Sequence, residues 1–177
     1  MFLELEERVR RLEEKTDRLV RVGVVTQVYP EKGSVRVLLP DADEEVSYEL
    51  PVLVRKTLKD KDYWLPDVGE HVVCVFLPIG QEQGFVVGAF YSEVDKVPVI
   101  SQDIKRIEFR NGDYMEYDRK NKKIRIFTQG TVEIEAARMI LLKTTEVRLI
   151  GNLEVEGNIH ATGSIIDEGG NTNHDSH

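Results

Sequence analysis

Four glycines spaced six residues apart, Gly151, Gly157, Gly163 and Gly169, constrain this chain more than any other feature. The repeats they open read Gly-Asn-Leu-Glu-Val-Glu, Gly-Asn-Ile-His-Ala-Thr and Gly-Ser-Ile-Ile-Asp-Glu. Glycine, then Asn or Ser, then an aliphatic residue describes a corner followed by an inward side chain. Hexads of this kind belong to β-helices, in which stacked repeats bury one another's faces. A single-chain hexad β-helix spends about three hexads on each coil. The three clear hexads here therefore close about one coil, with both edges open to further pairing. That shortage is relieved if several chains wind around a common axis, each supplying one wall. The pattern predicts a homo-oligomeric prism and does not fix the number of walls.

Upstream the periodicity changes twice. In residues 1–19, Phe2, Leu5, Val9, Leu12, Thr16 and Leu19 follow the 3,4 spacing of a heptad, with Phe2, Val9 and Thr16 at a and Leu5, Leu12 and Leu19 at d. Under three heptads is too short to hold chains together alone. The helix either lies on its own domain or packs on symmetry mates.

Residues 20–97 read as a small antiparallel barrel. Val20–Tyr29 is a valine-rich strand, Pro30–Gly33 a turn, Ser34–Leu39 a second strand and Val46–Val54 a third. His71–Leu77 and Phe85–Tyr91 complete the set, with turn residues Gly80–Gly84 between them. The run Val72-Val73-Cys74-Val75-Phe76-Leu77 does not alternate apolar with polar, so both of its faces should be covered. One cover is the barrel core; the other is the helix, a loop or another subunit. Residues 98–168 hold only short strand-like pieces, among them Ile107-Glu108-Phe109, Ile124-Arg125-Ile126, Val132-Glu133-Ile134 and Val147-Arg148-Leu149, and lead to an apex at 169–177.

Charge and cysteine content narrow the function. Lys plus Arg total 24 and Asp plus Glu total 32, a net charge of −8, the wrong sign for replacing counterions on phosphates. Arg36 and Tyr48 on the barrel strands lie among Asp41, Asp43, Glu44, Glu45 and Glu49, a poor platform for a nucleic acid. The one cysteine, Cys74, sits in an apolar run without a base beside it and reads as a core residue rather than a nucleophile. Glu154 and Glu156 fall on one solvated face, and no carboxylate is paired with an apolar pocket that would raise its pKa. No enzymatic activity is expected. His71 and His160 read as rim and surface residues, and Trp64 as a cap on the barrel. The acidic start Met1-Phe2-Leu3-Glu4-Leu5-Glu6-Glu7 lacks a signal peptide's basic and apolar pattern, and no stretch approaches the roughly 18 apolar residues of a membrane span.

The stretch Trp64-Leu65-Pro66-Asp67-Val68-Gly69-Glu70-His71-Val72, followed by Gln83-Gly84-Phe85-Val86-Val87-Gly88-Ala89-Phe90-Tyr91-Ser92, resembles the oligonucleotide/oligosaccharide-binding (OB) barrel of bacteriophage baseplate assembly protein V. The tail Gly163-Ser164-Ile165-Ile166-Asp167 through Gly170-Asn171-Thr172-Asn173-His174 resembles that family's spike apex, and the order helix, barrel, β-helix, histidine-bearing end matches across nearly the whole chain.

The resemblance implies a mainly β protein: a short N-terminal helix, an OB-fold barrel and a C-terminal triple-stranded intertwined β-helix in a homotrimer. It implies a central spike of a contractile tail or tail-like injection device, made in the host cytoplasm and carried in the virion baseplate. The spike docks on baseplate hub and tube proteins, pierces the host outer membrane with its tip and has no nucleic-acid partner. The alternative is an OB-fold protein that binds nucleic acid or carbohydrate. Family members often end in His-x-His, from which three chains offer six imidazoles to one iron ion. Here that slot reads Asp175-Ser176-His177, so the candidate metal ligands are His177 with either His174 or Asp175.

Overall fold

The computed structural model describes residues 2–40, 45–78 and 83–166. Within them the chain is mainly β, with one short N-terminal helix and antiparallel sheets. Contacts divide it into two units, residues 1–130 and 131–177. Residues 97 and 98, where the sequence places a boundary, lie between the two sheets of the first unit.

Helix α1 covers Phe2–Asp17, and no residue of it is buried. Its outer side carries i,i+4 ion pairs, Arg11 with Glu7 and Arg10 with Glu14, each of modest worth in water. The end of the helix is tied to the first sheet, where the Phe76 amide donates to the Leu19 carbonyl at 2.8 Å.

That first sheet contains β1 (Val20–Tyr29), β2 (Ser34–Leu39), β3 (Glu45–Val46), β4 (Leu50–Pro51), β5 (His71–Phe76) and β6 (Gly84–Ala89). Its order is β3-β2-β1-β5-β6, with β4 also paired to β2. A parallel bridge between Val52 and Val86, with the Leu53 amide donating to the Val86 carbonyl at 2.9 Å, joins the β4 side back to β6. The path β1-β2-β4-β6-β5-β1 therefore closes on itself, which removes the open edges that invite aggregation.

Alternation along the strands places Val25, Val35, Val37, Leu39, Leu50, Val72, Cys74, Phe76 and Val86 in the interior. Closure is tight at Gly23. A Cβ there would lie 2.3 Å from the Leu38 carbonyl oxygen and 2.4 Å from a Val37 methyl, so only glycine fits.

β1, β2 and β5 match the sequence expectation closely. The strand expected at Val46–Val54 is instead two short pieces. Ser47 is buried, its hydroxyl accepts from the Val37 amide at 3.0 Å and donates to the Tyr48 carbonyl at 2.7 Å. A side chain thus takes a place that a backbone carbonyl would hold in a regular ladder, and the strand breaks there.

The second sheet is a meander of β7 (Ile104–Glu108), β8 (Tyr114–Asp118) and β9 (Lys123–Phe127). The turn Asn111-Gly112-Asp113 joins β7 to β8, with Gly112 at φ 85°. Asp113 accepts from the Thr128 hydroxyl at 2.8 Å and the Gln129 amide at 3.0 Å, tying the turn to the end of β9. Those hydrogen bonds, the backbone one first, hold its carboxyl below the ordinary value of 3.8.

Candidate functional site: apolar surface without a partner

The second unit has an unusual state for so apolar a sequence. Every described residue from Thr131 to Ile166 is exposed, and none lies in a strand. Among the described residues, no backbone amide in this stretch donates to a backbone carbonyl. The polar contacts it makes are local, such as the Thr144 hydroxyl with Glu146. Yet Leu141, Leu149, Leu153 and Ile159 are 72%, 67%, 66% and 67% exposed. Water can satisfy an extended backbone, but it gains nothing from such side chains, each of which offers about 1.5–3 kcal/mol on full burial. Gly151 and Gly157 have φ of 132° and 139°, a region that residues with a Cβ rarely adopt. The corners expected from the hexads are present there, and the faces between them are uncovered.

Two further apolar faces lie in the first unit. On the meander, Ile107, Met115 and Ile126 stand in cross-strand register and are 46%, 46% and 60% exposed. The opposite face carries Arg106, Glu116 and Arg125 in the same register, with Glu116 buried and bonded by Arg106 at 2.9 and 2.5 Å. The meander thus folds around an ion-pair ladder and turns its aliphatic side outward.

On the barrel, the outer face of β5 is only half-covered. Val73 and Val75 pair with Val22 and Val20, which are 47% and 61% exposed. Because no helix residue is buried, α1 is not the cover the sequence allowed for.

Trp64 does not cap the barrel. It is exposed, and its ring lies 5.6 Å from that of Phe109, on the wall of a groove of about 1500 Å³ that Tyr63, Phe90, Tyr91 and Arg110 also line. The motif signalled a loop before a strand; it could not signal the meander that the loop rests against. The groove's rim includes Asp67, Glu70 and Glu108, which disfavours phosphate.

His71 is half-buried at the barrel rim, with Nδ1 2.8 Å from the Asp95 carboxylate, and His160 is exposed. Basic residues near Tyr48 are already engaged: Lys32 pairs with Glu49 at 2.9 Å, and Arg36 Nε donates to the Ser47 carbonyl at 2.9 Å. Cys74 is fully buried, and that burial pushes its thiol up to about 11. Among the described residues, no group of three or more His, Cys, Asp or Glu is placed to hold a metal. The expected ligands His174, Asp175 and His177 lie outside the described residues.

No known family model matches the chain. Over 182 aligned residues it is 25% identical to the "Spike protein" of Escherichia phage P2, an alignment that covers 88% of this chain and 85% of that protein. The chain is therefore similar to a phage spike over most of its length; the similarity does not single out baseplate assembly protein V.

Proposed function

We propose that this chain is the structural central spike of a contractile phage tail or a tail-like injection device, acting as a homotrimer and not as an enzyme. The observation that carries the reading is the segment 131–166, whose apolar side chains are exposed and whose backbone, among the described residues, forms no backbone–backbone hydrogen bond. Copies of the same segment are the fitting partners. Three extended walls that wind around one axis pair each other's backbones and enclose the aliphatic residues, as a triple-stranded β-helix does. Similarity to a phage spike supports this choice over other apolar assemblies.

The closed path β1-β2-β4-β6-β5 supports the reading of residues 20–97 as an OB-type barrel, and in this proposal residues 98–168 form the spike. In this account the barrels dock on the baseplate hub and the needle meets the host outer membrane. A thin rod stiffened by interchain strands can transmit the thrust of a contracting tail without a catalytic step. At residues 169–177, His177 with His174 or Asp175 from each chain gives six nitrogen and oxygen donors on a threefold axis, a set suited to one octahedral iron ion. That ion would cross-link the point.

Sedimentation equilibrium tests the reading. The full chain should run at three times its 20.3 kDa mass at micromolar concentration, and a chain ending at Gly130 should run as a monomer that keeps its β-sheet spectrum. A monomeric full chain overturns the proposal. The tip is tested separately by elemental analysis of protein never exposed to chelator or metal resin: one iron per trimer, lost in His177→Ala, supports it, and an ordered tip without metal excludes it.

A further inference from the structure

Among the described residues, the apolar stripe of α1 has no cover either. Phe2, Leu5, Val9 and Leu12 are 79%, 58%, 45% and 62% exposed. The ion pairs Arg11–Glu7 and Arg10–Glu14 occupy heptad positions b, c and f, away from the stripe. The stripe is flanked by Glu6 and Glu13 at e and by Arg8 and Lys15 at g. This charge arrangement discriminates between orientations. When helices run parallel, a g residue meets the e residue of the neighbour's next heptad, so Arg8 faces Glu13. When they run antiparallel, g meets g and e meets e, which sets Arg8 against Lys15 and Glu6 against Glu13.

We propose that the helices of neighbouring copies join as a parallel, in-register coiled coil, with Leu5 and Leu12 at d and Phe2, Val9 and Thr16 at a. This rests on the homotrimer reading, since copies around one axis already run parallel. Val9 at a with leucine at d is a choice that favours two strands in free coiled coils. The number of strands is therefore imposed by the rest of the chain, and the helix conforms to it. A sixteen-residue helix offers little more than two heptads of seam and little helicity of its own. It is fixed at its C-terminal end, where Leu19 is half-buried and its carbonyl accepts from Phe76. Helices held in this way by assembled barrels meet at high local concentration, and a weak seam then suffices to close them.

Disulfide trapping in the full chain tests the coil. Native Cys74 is buried and its thiol is pushed up to about 11, so it stays silent. Leu12→Cys at d should give disulfide-linked pairs, and Arg11→Cys at the outward c position should link roughly tenfold or more slowly, because exchange depends on access. Leu5→Cys is the second reporter if Leu12→Cys weakens assembly. Arg8→Glu should slow the linkage, and adding Glu13→Arg should restore it. A trimer in which the d-position thiols link no faster than Arg11→Cys overturns the coil and leaves the spike reading standing. A monomer by sedimentation overturns both.

Discussion

In the barrel, Val35, Val37, Leu50 and Val72 have no exposed surface; in residues 131–166, Leu149, Leu153 and Ile159 are each about two-thirds exposed. Both regions are rich in the same strand-forming residues. They differ in where the partners are. Barrel strands find theirs a few turns away in the same chain, and a parallel bridge closes the circuit. The hexad segment has turn glycines and strand-like triplets but, among the described residues, no second wall to pair with. In the lone chain the segment's apolar side chains stand in water, a cost that association with other copies, as proposed above, would remove. Strand propensity and strand formation are separate: the first is local, and the second needs an edge to pair with.

The sharpest way to break this comparison is to poison the shared wall. Leu153→Asp introduces a carboxylate where the account places the enclosed axis. An unpaired buried charge costs about 3–5 kcal/mol, incurred in each of the chains. The variant should sediment as a monomer while its barrel melts as in the parent. If Leu153 instead faces solvent in the assembly, the substitution leaves the trimer intact.

The converse change acts on the barrel alone. Gly23→Ala places a methyl against the Leu38 carbonyl and Val37, and overpacking of this kind costs about 1–3 kcal/mol. Urea melts followed by Trp64 fluorescence should shift to lower denaturant, and the oligomeric mass of the folded protein should be unchanged. An unshifted midpoint would show that β1 and β2 part more easily than their packing implies.

These two regions are legible to different degrees in the sequence. Val20–Tyr29 and Ser34–Leu39 are readable to the residue because each alternates or runs apolar between turn signals. The break at Ser47 is not readable, since a serine inside an apolar run gives no sign that its hydroxyl will replace a backbone acceptor. The position of Trp64 is hidden because its neighbour Phe109 lies far away in sequence. Tyr114–Asp118 alternates, but it is short and polar on one face, where Glu116 joins Arg106 and Arg125. The hexad glycines carry the clearest signal of corners, and two of them, Gly151 and Gly157, adopt a positive φ.

The smallest predicted effect concerns the meander and acid. Asp113 has its carboxyl lowered by the Gln129 amide and the Thr128 hydroxyl, and Asp118 by the Asn121 amide and side chain. A group depressed in the folded state contributes stability above its unfolded value and loses it as pH falls through the folded one. The meander's amides should therefore keep their protection at neutral pH and lose it progressively as pH falls through the ordinary value of 3.8 and below. Asp113→Asn should flatten that acid dependence. Equal acid sensitivity in parent and variant would place the responsible carboxylates elsewhere.

Hydrogen exchange across residues 131–166 of the full-length protein tests the central claim most directly. Intertwined walls bond the backbone amides between chains, so peptides spanning Val132–Ile134 and Val147–Val155 should stay protected for hours, comparably to β5 of the barrel. Truncation within the segment should abolish that protection. If those amides instead exchange within seconds in the intact protein while the barrel stays protected, the segment pairs with nothing, and the account of a shared needle is wrong.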